Sequence, residues 1–258
     1  MFDDLVARAV ALAEAARPGA GELRSRERGR RRPSGAPGDR GGEPSGVPGE
    51  RSERCQPSAG GERVILGIAG CPAAGKSTLA ELLVSGLAAA GVPAALVPMD
   101  GFHLADVALD RLGRRGHKGA IDTFDGDGYL SLLRRLRTDR RRTVWAPGFA
   151  RDLEQPIAGS IGVDPEVRIV VTEGNYLLAA AEPWPSVRAE LSEVWYVELD
   201  EPTRRERLIA RHVEFGKLPD EAARWVSTVD DPNARLIAAN RSRADLLVDM
   251  SMLELRPT

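Results

Sequence analysis

The run Gly70-Cys71-Pro72-Ala73-Ala74-Gly75-Lys76-Ser77-Thr78 is where residue types and spacing most directly imply chemistry. It fits G-x-x-x-x-G-K-S/T, follows the apolar residues 64–68 and opens the apolar-periodic stretch 76–90. That is the context a phosphate-cradling loop requires. Glycines let backbone N–H groups approach a phosphate chain, and the start of a helix adds a favourable dipole. In such a loop the Lys76 ammonium reaches the β- and γ-phosphates of a nucleoside triphosphate while the Ser77 hydroxyl coordinates Mg²⁺. Cys71 stands at a helix start, and its small size is reason enough for it.

Such a loop names a donor and leaves the reaction open. In "PMDGFHLAD", Asp100 follows an apolar run, with Gly101 allowing a sharp turn, and a carboxylate there is placed to take the proton of an attacking hydroxyl. In "VRIVVTEGNYLL", Glu173 follows a longer apolar run beside Gly174 and is placed to act on Mg²⁺ or its waters. A guanine-reading N-K-x-D is missing, because Asn175, Asn233 and Asn240 precede Tyr, Ala and Arg. The segment "TRRERLIARHVEFGK" supplies Arg204, Arg205, Arg207 and Arg211, with Lys217 beyond. Helical spacing puts Arg207 and Arg211 on one face, so Arg207, Arg211 and Lys217 are read as a lid over the transferring group. Arg204 and Arg205 are read as a solvated basic face. Of the histidines, His103 and His117 suit acceptor contacts and His212 a lid surface, since they lack paired metal-ligand spacing. Trp145, Trp184, Trp195 and Trp225 read as core or rim packing, with Trp145 in an acceptor-side insertion.

These residues need a scaffold that presents strand ends. Strand-like stretches at 64–68, 94–97, 167–171, 194–199 and 245–248 alternate with helix-like ones at 76–90, 128–137 and 202–215. The strands are nearly unbroken runs of Val, Ile and Leu, as expected when both faces are covered. The fold class is therefore α/β, a parallel sheet flanked by helices with a basic lid helix. Ligands in such sheets sit beyond the carboxyl ends of the strands, where Lys76, Asp100 and Glu173 fall. Residues 3–16 read as an amphipathic helix packing on the main domain, started by Asp3 or Asp4. Residues 18–61, rich in Gly, Pro, Ser, Glu and Arg, read as a disordered linker, and 62–258 as the catalytic domain.

The chain has 258 residues, formal net charge -2 and two cysteines. That charge argues for neither nucleic-acid nor membrane partners. The N-terminus is not a signal peptide, no run is long enough to span a membrane, and two oddly placed cysteines fit a reducing cytoplasm.

With these elements in order, the chain resembles the uridine kinase, phosphoribulokinase and type I pantothenate kinase superfamily. The likeness covers residues 64–250 and rests jointly on "GIAGCPAAGKSTLA", "MDGFH", "HKGAIDTFD", "EGNYLL", "RLIARHVEFGK" and "DDPNARLI". It implies a P-loop fold, ATP and Mg²⁺ as cofactors, a small-molecule acceptor, and Asp100 as base. It also implies Lys76 and Arg211 as charge stabilisers and Ser77 and Glu173 as metal ligands. Asn233 falls in a segment that borders the nucleotide base in relatives. His103, His117, Lys118, Asp125 and Arg151 match acceptor-side positions. Uridine kinases usually carry aspartate-serine-phenylalanine-tyrosine where this chain has Asp100-Gly101-Phe102-His103, nearer the pantothenate kinase form. The expected activity is transfer of the γ-phosphoryl group to a hydroxyl of a nucleoside or pantothenate-like alcohol. The alternatives are a sugar kinase linked to carbohydrate uptake and a P-loop switch that binds a protein partner. Self-association into a homodimer is left open.

Overall fold

A computed structural model describes residues 1–16 and 62–253. The expected linker at 18–61 lies outside the described residues.

Five strands form one parallel sheet: β1 (Val64–Gly70), β2 (Ala94–Leu96), β5 (Ile169–Gly174), β6 (Glu193–Glu198) and β7 (Leu246–Asp249). Their order is β2-β5-β1-β6-β7. β1 lies between β5 and β6, so the chain leaves it at a topological switch point, where such sheets bind ligands. Side chains alternate between two buried layers. Ile65, Ala69, Val170, Val194 and Tyr196 enter one core; Val64, Leu66, Ile68, Val171 and Trp195 enter the other. Burial on both faces accounts for the unbroken apolar runs.

Helix α1 (Phe2–Ala15) and α2 (Lys76–Ala89) cover the second core. Leu5, Ala9 and Ala13 of α1 are buried with Leu79, Leu83 and Leu87 of α2, and Arg8 reaches Glu193 of β6 at 2.8 Å. Asp3 and Asp4 lie inside the first turn of α1, whose N-cap is Met1. Short helix α3 (Asp106–Leu112) and α4 (Gly126–Thr138) follow β2, and α4 packs its Leu130, Leu133 and Leu136 into the first core with Trp184 of α5 (Trp184–Glu190). After β6 come α6 (Glu201–Glu214), α7 (Pro219–Trp225) and α8 (Asp231–Ala238), the last two joined by a π-helical turn at Val226–Asp230.

A hairpin, β3 (Val144–Ala150) with β4 (Gln155–Val163), stands apart from the main sheet. Sequence reading missed it because Pro147, Gly148, Pro156, Gly159 and Gly162 break the strand signal, and its register shifts between Ala146 and Gly148. Among the described residues no helix is long and apolar enough to cross a membrane.

Candidate active site

The phosphate loop turns at the end of β1. Gly75 caps α2 with φ 100° and Ala73 sits at φ 62°, so the loop holds left-handed backbone where chains store strain at functional positions. Lys76 is buried and its Nζ donates to the Cys71 carbonyl at 3.0 Å. Parallel pairing sets Ile68 beside Glu173, and the Ser77 hydroxyl donates to Glu173 Oε1 at 3.1 Å. Burial lowers the Lys76 pKa, with Glu173 and Asp100 opposing it. Burial raises the Glu173 pKa, reinforced by Asp100 and relieved by Lys76 and Ser77. A buried carboxylate held this way favours an incoming cation.

The second carboxylate comes from the turn after β2. Met99–Phe102 forms one 3₁₀ turn carrying Asp100. Gly101 permits more than a turn there: a Cβ on it would run into the Pro147 carbonyl of β3, so only glycine lets the hairpin approach. Behind the turn, the Thr172 hydroxyl donates to the Val97 carbonyl at 2.6 Å and meets the Tyr129 hydroxyl at 2.6 Å. This pins the exit of β2 to β5 and sets Asp100 against Glu173. Burial pushes the Tyr129 phenol well above its usual range, keeping it protonated.

Two cavities meet at this point. One, of about 350 Å³, has Asp100, His103, Lys118, Arg151, Arg211 and Asn233 in its wall. The other, of about 390 Å³, opens over the phosphate loop at Gly75, Lys76, Ser77, Thr78 and Arg207. Arg151 and Arg211 belong to both walls. Arg151 Nη2 lies 3.8 Å from Asp100 Oδ2. The Arg211 guanidinium has no hydrogen-bonding or ion-pair partner among the described residues. Burial depresses its pKa, as does repulsion from Arg151, while Asp100 and Asp230 oppose both.

Several expected positions differ. Asn233 lines the Asp100 cavity and not the phosphate-loop cleft, because burial of Ala234 and Ile237 fixes the face α8 presents. His117 is exposed and pairs with Asp122 at 3.5 Å, and it is not in the cavity wall. Asp125 is spent as the exposed N-cap of α4, accepting from the Gly128 N–H at 2.8 Å. Neither reaches the site. Arg204 is fully buried instead of solvated. It bonds Glu201 at 2.7 Å, Asp231 at 3.1 Å and the Pro72 carbonyl at 3.4 Å, tying α6 to the phosphate loop. Arg205 also joins Asp231, at 2.8 Å. His212 faces inward onto Asp230 at 2.9 Å. Trp145 is 58% exposed on the hairpin, whereas Trp225 walls the cavity with Lys217 Nζ 4.9 Å from its ring. Trp184 and Trp195 are core residues.

Lys118 does line the cavity, bound to Asp106 at 2.8 Å and to the Glu154 carbonyl. Asp106 and Glu154 escaped sequence reading, because their roles arise from contacts between segments far apart in the chain. Asn175, also in that cavity wall, carried a signal in its position directly after Glu173-Gly174 at a strand end. Ser77 and Glu173 offer a hydroxyl and a single carboxylate, the hard oxygen donors that suit Mg²⁺ shared with substrate phosphates. Among the described residues no three His, Cys, Asp or Glu side chains group as an all-protein metal site.

No family model matches the chain. The ATP-dependent kinase-like protein notR' of Aspergillus versicolor is 38% identical over 167 residues, 61% of this chain and 96% of its own. A Schizosaccharomyces pombe protein provisionally described as a uridine kinase is 31% identical over 201 residues, 75% of this chain and 86% of its own. A solved structure from Silicibacter, provisionally described as a fructose transport system kinase, is 37% identical with TM-score 0.68, covering 72% of this chain and 90% of that one. The phosphate loop, the strand-end carboxylates and these relatives agree: the chain belongs to the superfamily of P-loop kinases that includes the uridine kinases, and it is an ATP-dependent phosphotransferase with an alcohol group as acceptor.

Proposed function

We propose that the protein, with Mg²⁺, transfers the γ-phosphoryl group of ATP to a hydroxyl of a small polar metabolite such as a nucleoside or a pantothenate-like alcohol. The observation that carries this reading is the junction of the two cavities: Asp100 stands in one, Lys76 and Ser77 in the other, and Arg151 and Arg211 serve both. ATP occupies the cleft over the phosphate loop and the acceptor occupies the cavity at Asp100. Asp100 takes the proton of the attacking hydroxyl. Lys76 and Arg211 neutralise charge on the phosphoryl oxygens, the largest service a protein can offer this reaction. Ser77 and Glu173 would hold Mg²⁺, which would supply positive charge to neutralise the phosphates.

Helix α6 acts as the lid. Val213, Phe215 and Leu218 at its tip are 38%, 47% and 65% exposed, apolar surface that closure would bury, and closure excludes water from the transfer. A sugar acceptor is the second reading, favoured by the likeness to the Silicibacter protein. The test is ADP release with ATP and a panel of nucleosides, pantothenate and simple sugars, with mass detection of the phosphorylated product. Turnover of one acceptor at least tenfold above the ATPase background supports the reading. ATP binding without any acceptor-dependent ADP release contradicts it.

A further inference from the structure

The phosphate loop is fastened from behind by a buried cation. Arg204, in the first turn of α6, is 2% exposed, and its guanidinium binds both carboxylate oxygens of Glu201 at 2.7 and 2.8 Å and Asp231 of α8 at 3.1 Å. Hydrogen bonding to Glu201 raises its pKa against the opposing effect of burial, so the charge stays in place. The remaining nitrogen, Nη1, donates to the carbonyl of the buried Pro72 at 3.4 Å, and the neighbouring Cys71 thiol reaches the Ala234 carbonyl of α8 at 3.5 Å. The peptide unit between Pro72 and Ala73 is trans, and in a planar trans unit the C=O and the following N–H point in opposite directions. Turning the Pro72 carbonyl toward Arg204 therefore turns the Ala73 N–H the other way. Ala73 lines the cleft over the loop, and among the described residues its N–H has no hydrogen-bond partner. Ala73 also holds φ 62° without being glycine, a strained conformation that persists only where the surroundings impose it.

We infer that Arg204 is a positioning residue of the phosphate loop: by holding the Pro72 carbonyl it keeps the 72–73 peptide from flipping and aims the Ala73 N–H at the phosphate chain. This rests on the kinase reading above. Arg204 belongs to neither cavity wall, so it acts through the loop and not on the substrate. Without it the 72–73 peptide is free to rotate. Rotation relieves the strain at Ala73 and turns a carbonyl oxygen toward the phosphates where a donor had stood, replacing an attraction by a repulsion. Glu201 and Asp231 orient the guanidinium, which places the first turns of α6 and α8 in control of one peptide plane of the loop.

Two measurements test this on the full chain, with magnesium tripolyphosphate and Mg·ATP as probes. In ¹⁵N–¹H spectra of the wild type, with the Ala73 amide assigned by its loss in Ala73→Gly, bound tripolyphosphate should move that amide downfield as it gains a hydrogen bond. An Ala73 amide indifferent to bound tripolyphosphate overturns the inference and leaves the kinase intact, and this result needs no variant of Arg204 to fold. By calorimetry, Arg204→Lys keeps a cation beside Asp231 but lacks the planar fork that reaches Glu201 and Pro72 together. It should bind both probes roughly tenfold more weakly. Adding Ala73→Gly should restore most of the affinity, because glycine holds a positive φ without strain. Unchanged affinity in Arg204→Lys with only a lower Tm, or a weakening that Ala73→Gly leaves as it was, reduces Arg204 to a stabilising residue and overturns the inference. No binding of either probe by the wild type removes the kinase reading, and the positioning role with it.

Discussion

Arg211→Met separates function from stability more sharply than any other change in this site. The guanidinium is partly buried between the two cavities, has no partner among the described residues, and is repelled by Arg151. Methionine keeps most of the stem's apolar contact and removes a charge that burial and Arg151 disfavour. No hydrogen bond or ion pair is lost, so stability should change by no more than about 0.5 kcal/mol, or roughly 1–2 °C in Tm at this size. Turnover should respond very differently. An arginine that meets developing phosphoryl charge contributes about 10³- to 10⁵-fold in kcat, and Lys76 and Arg151 remain to supply part of the neutralisation. A loss of about 10³-fold is therefore expected, equivalent to about 4 kcal/mol of transition-state stabilisation. The assay pairs steady-state ADP release with thermal melting of the ligand-free protein. A variant within tenfold of wild-type kcat, or one that melts many degrees lower, would refute Arg211 as a charge held in wait for the phosphoryl group.

Three further outcomes are expected. Gly101→Ala forces a Cβ into the Pro147 carbonyl, so the turn bearing Asp100 and His103 must shift; kcat should fall at least a hundredfold while ATP affinity, read by calorimetry, stays within a fewfold. Arg63→Met removes a buried guanidinium that donates to the carbonyls of Val167, Leu136, Asp139 and Asp164. Stranding those acceptors should cost about 3–5 kcal/mol and on the order of 10 °C in Tm by scanning calorimetry. Burial raises the Glu173 pKa in the folded state, so the fold keeps a proton that the unfolded chain releases near pH 4.3, and stability drains away as pH rises through the raised value. Without Mg·ATP, wild-type Tm should therefore drop relative to Glu173→Gln as pH rises above the unfolded carboxyl's range near 4.3, while the variant loses turnover.

The donor side was legible because it is local. The phosphate loop, the strands beside it and the carboxylates Asp100 and Glu173 at strand ends are written in contiguous residues with strand or helix periodicity. The acceptor side is assembled from pairings between distant segments, which periodicity does not encode. Arg204 looked like one more exposed arginine until Asp231 and Pro72 closed on it. Asp125 carries the chemistry of a binding acid, yet the start of α4 needs that carboxylate as a cap. Asn233 was expected beside the nucleotide base from the resemblance in "DDPNARLI", and the facing of α8 sets it in the wall of the cavity that holds Asp100. His103 was identifiable as an acceptor residue, whereas its hydrogen-bonding sense needed the Asp100 carbonyl beside Nδ1.

The central claim is that Asp100 is the base for an acceptor hydroxyl. Asp100→Asn is nearly isosteric and leaves the phosphate loop untouched, so measuring acceptor-dependent ADP release alongside ATP affinity tests it most directly. The account predicts a loss of about 10²- to 10⁴-fold in kcat with ATP binding retained. A variant that phosphorylates its acceptor at the wild-type rate would contradict it, as would a protein whose nucleotide-dependent behaviour is indifferent to the change, the response expected of a nucleotide switch.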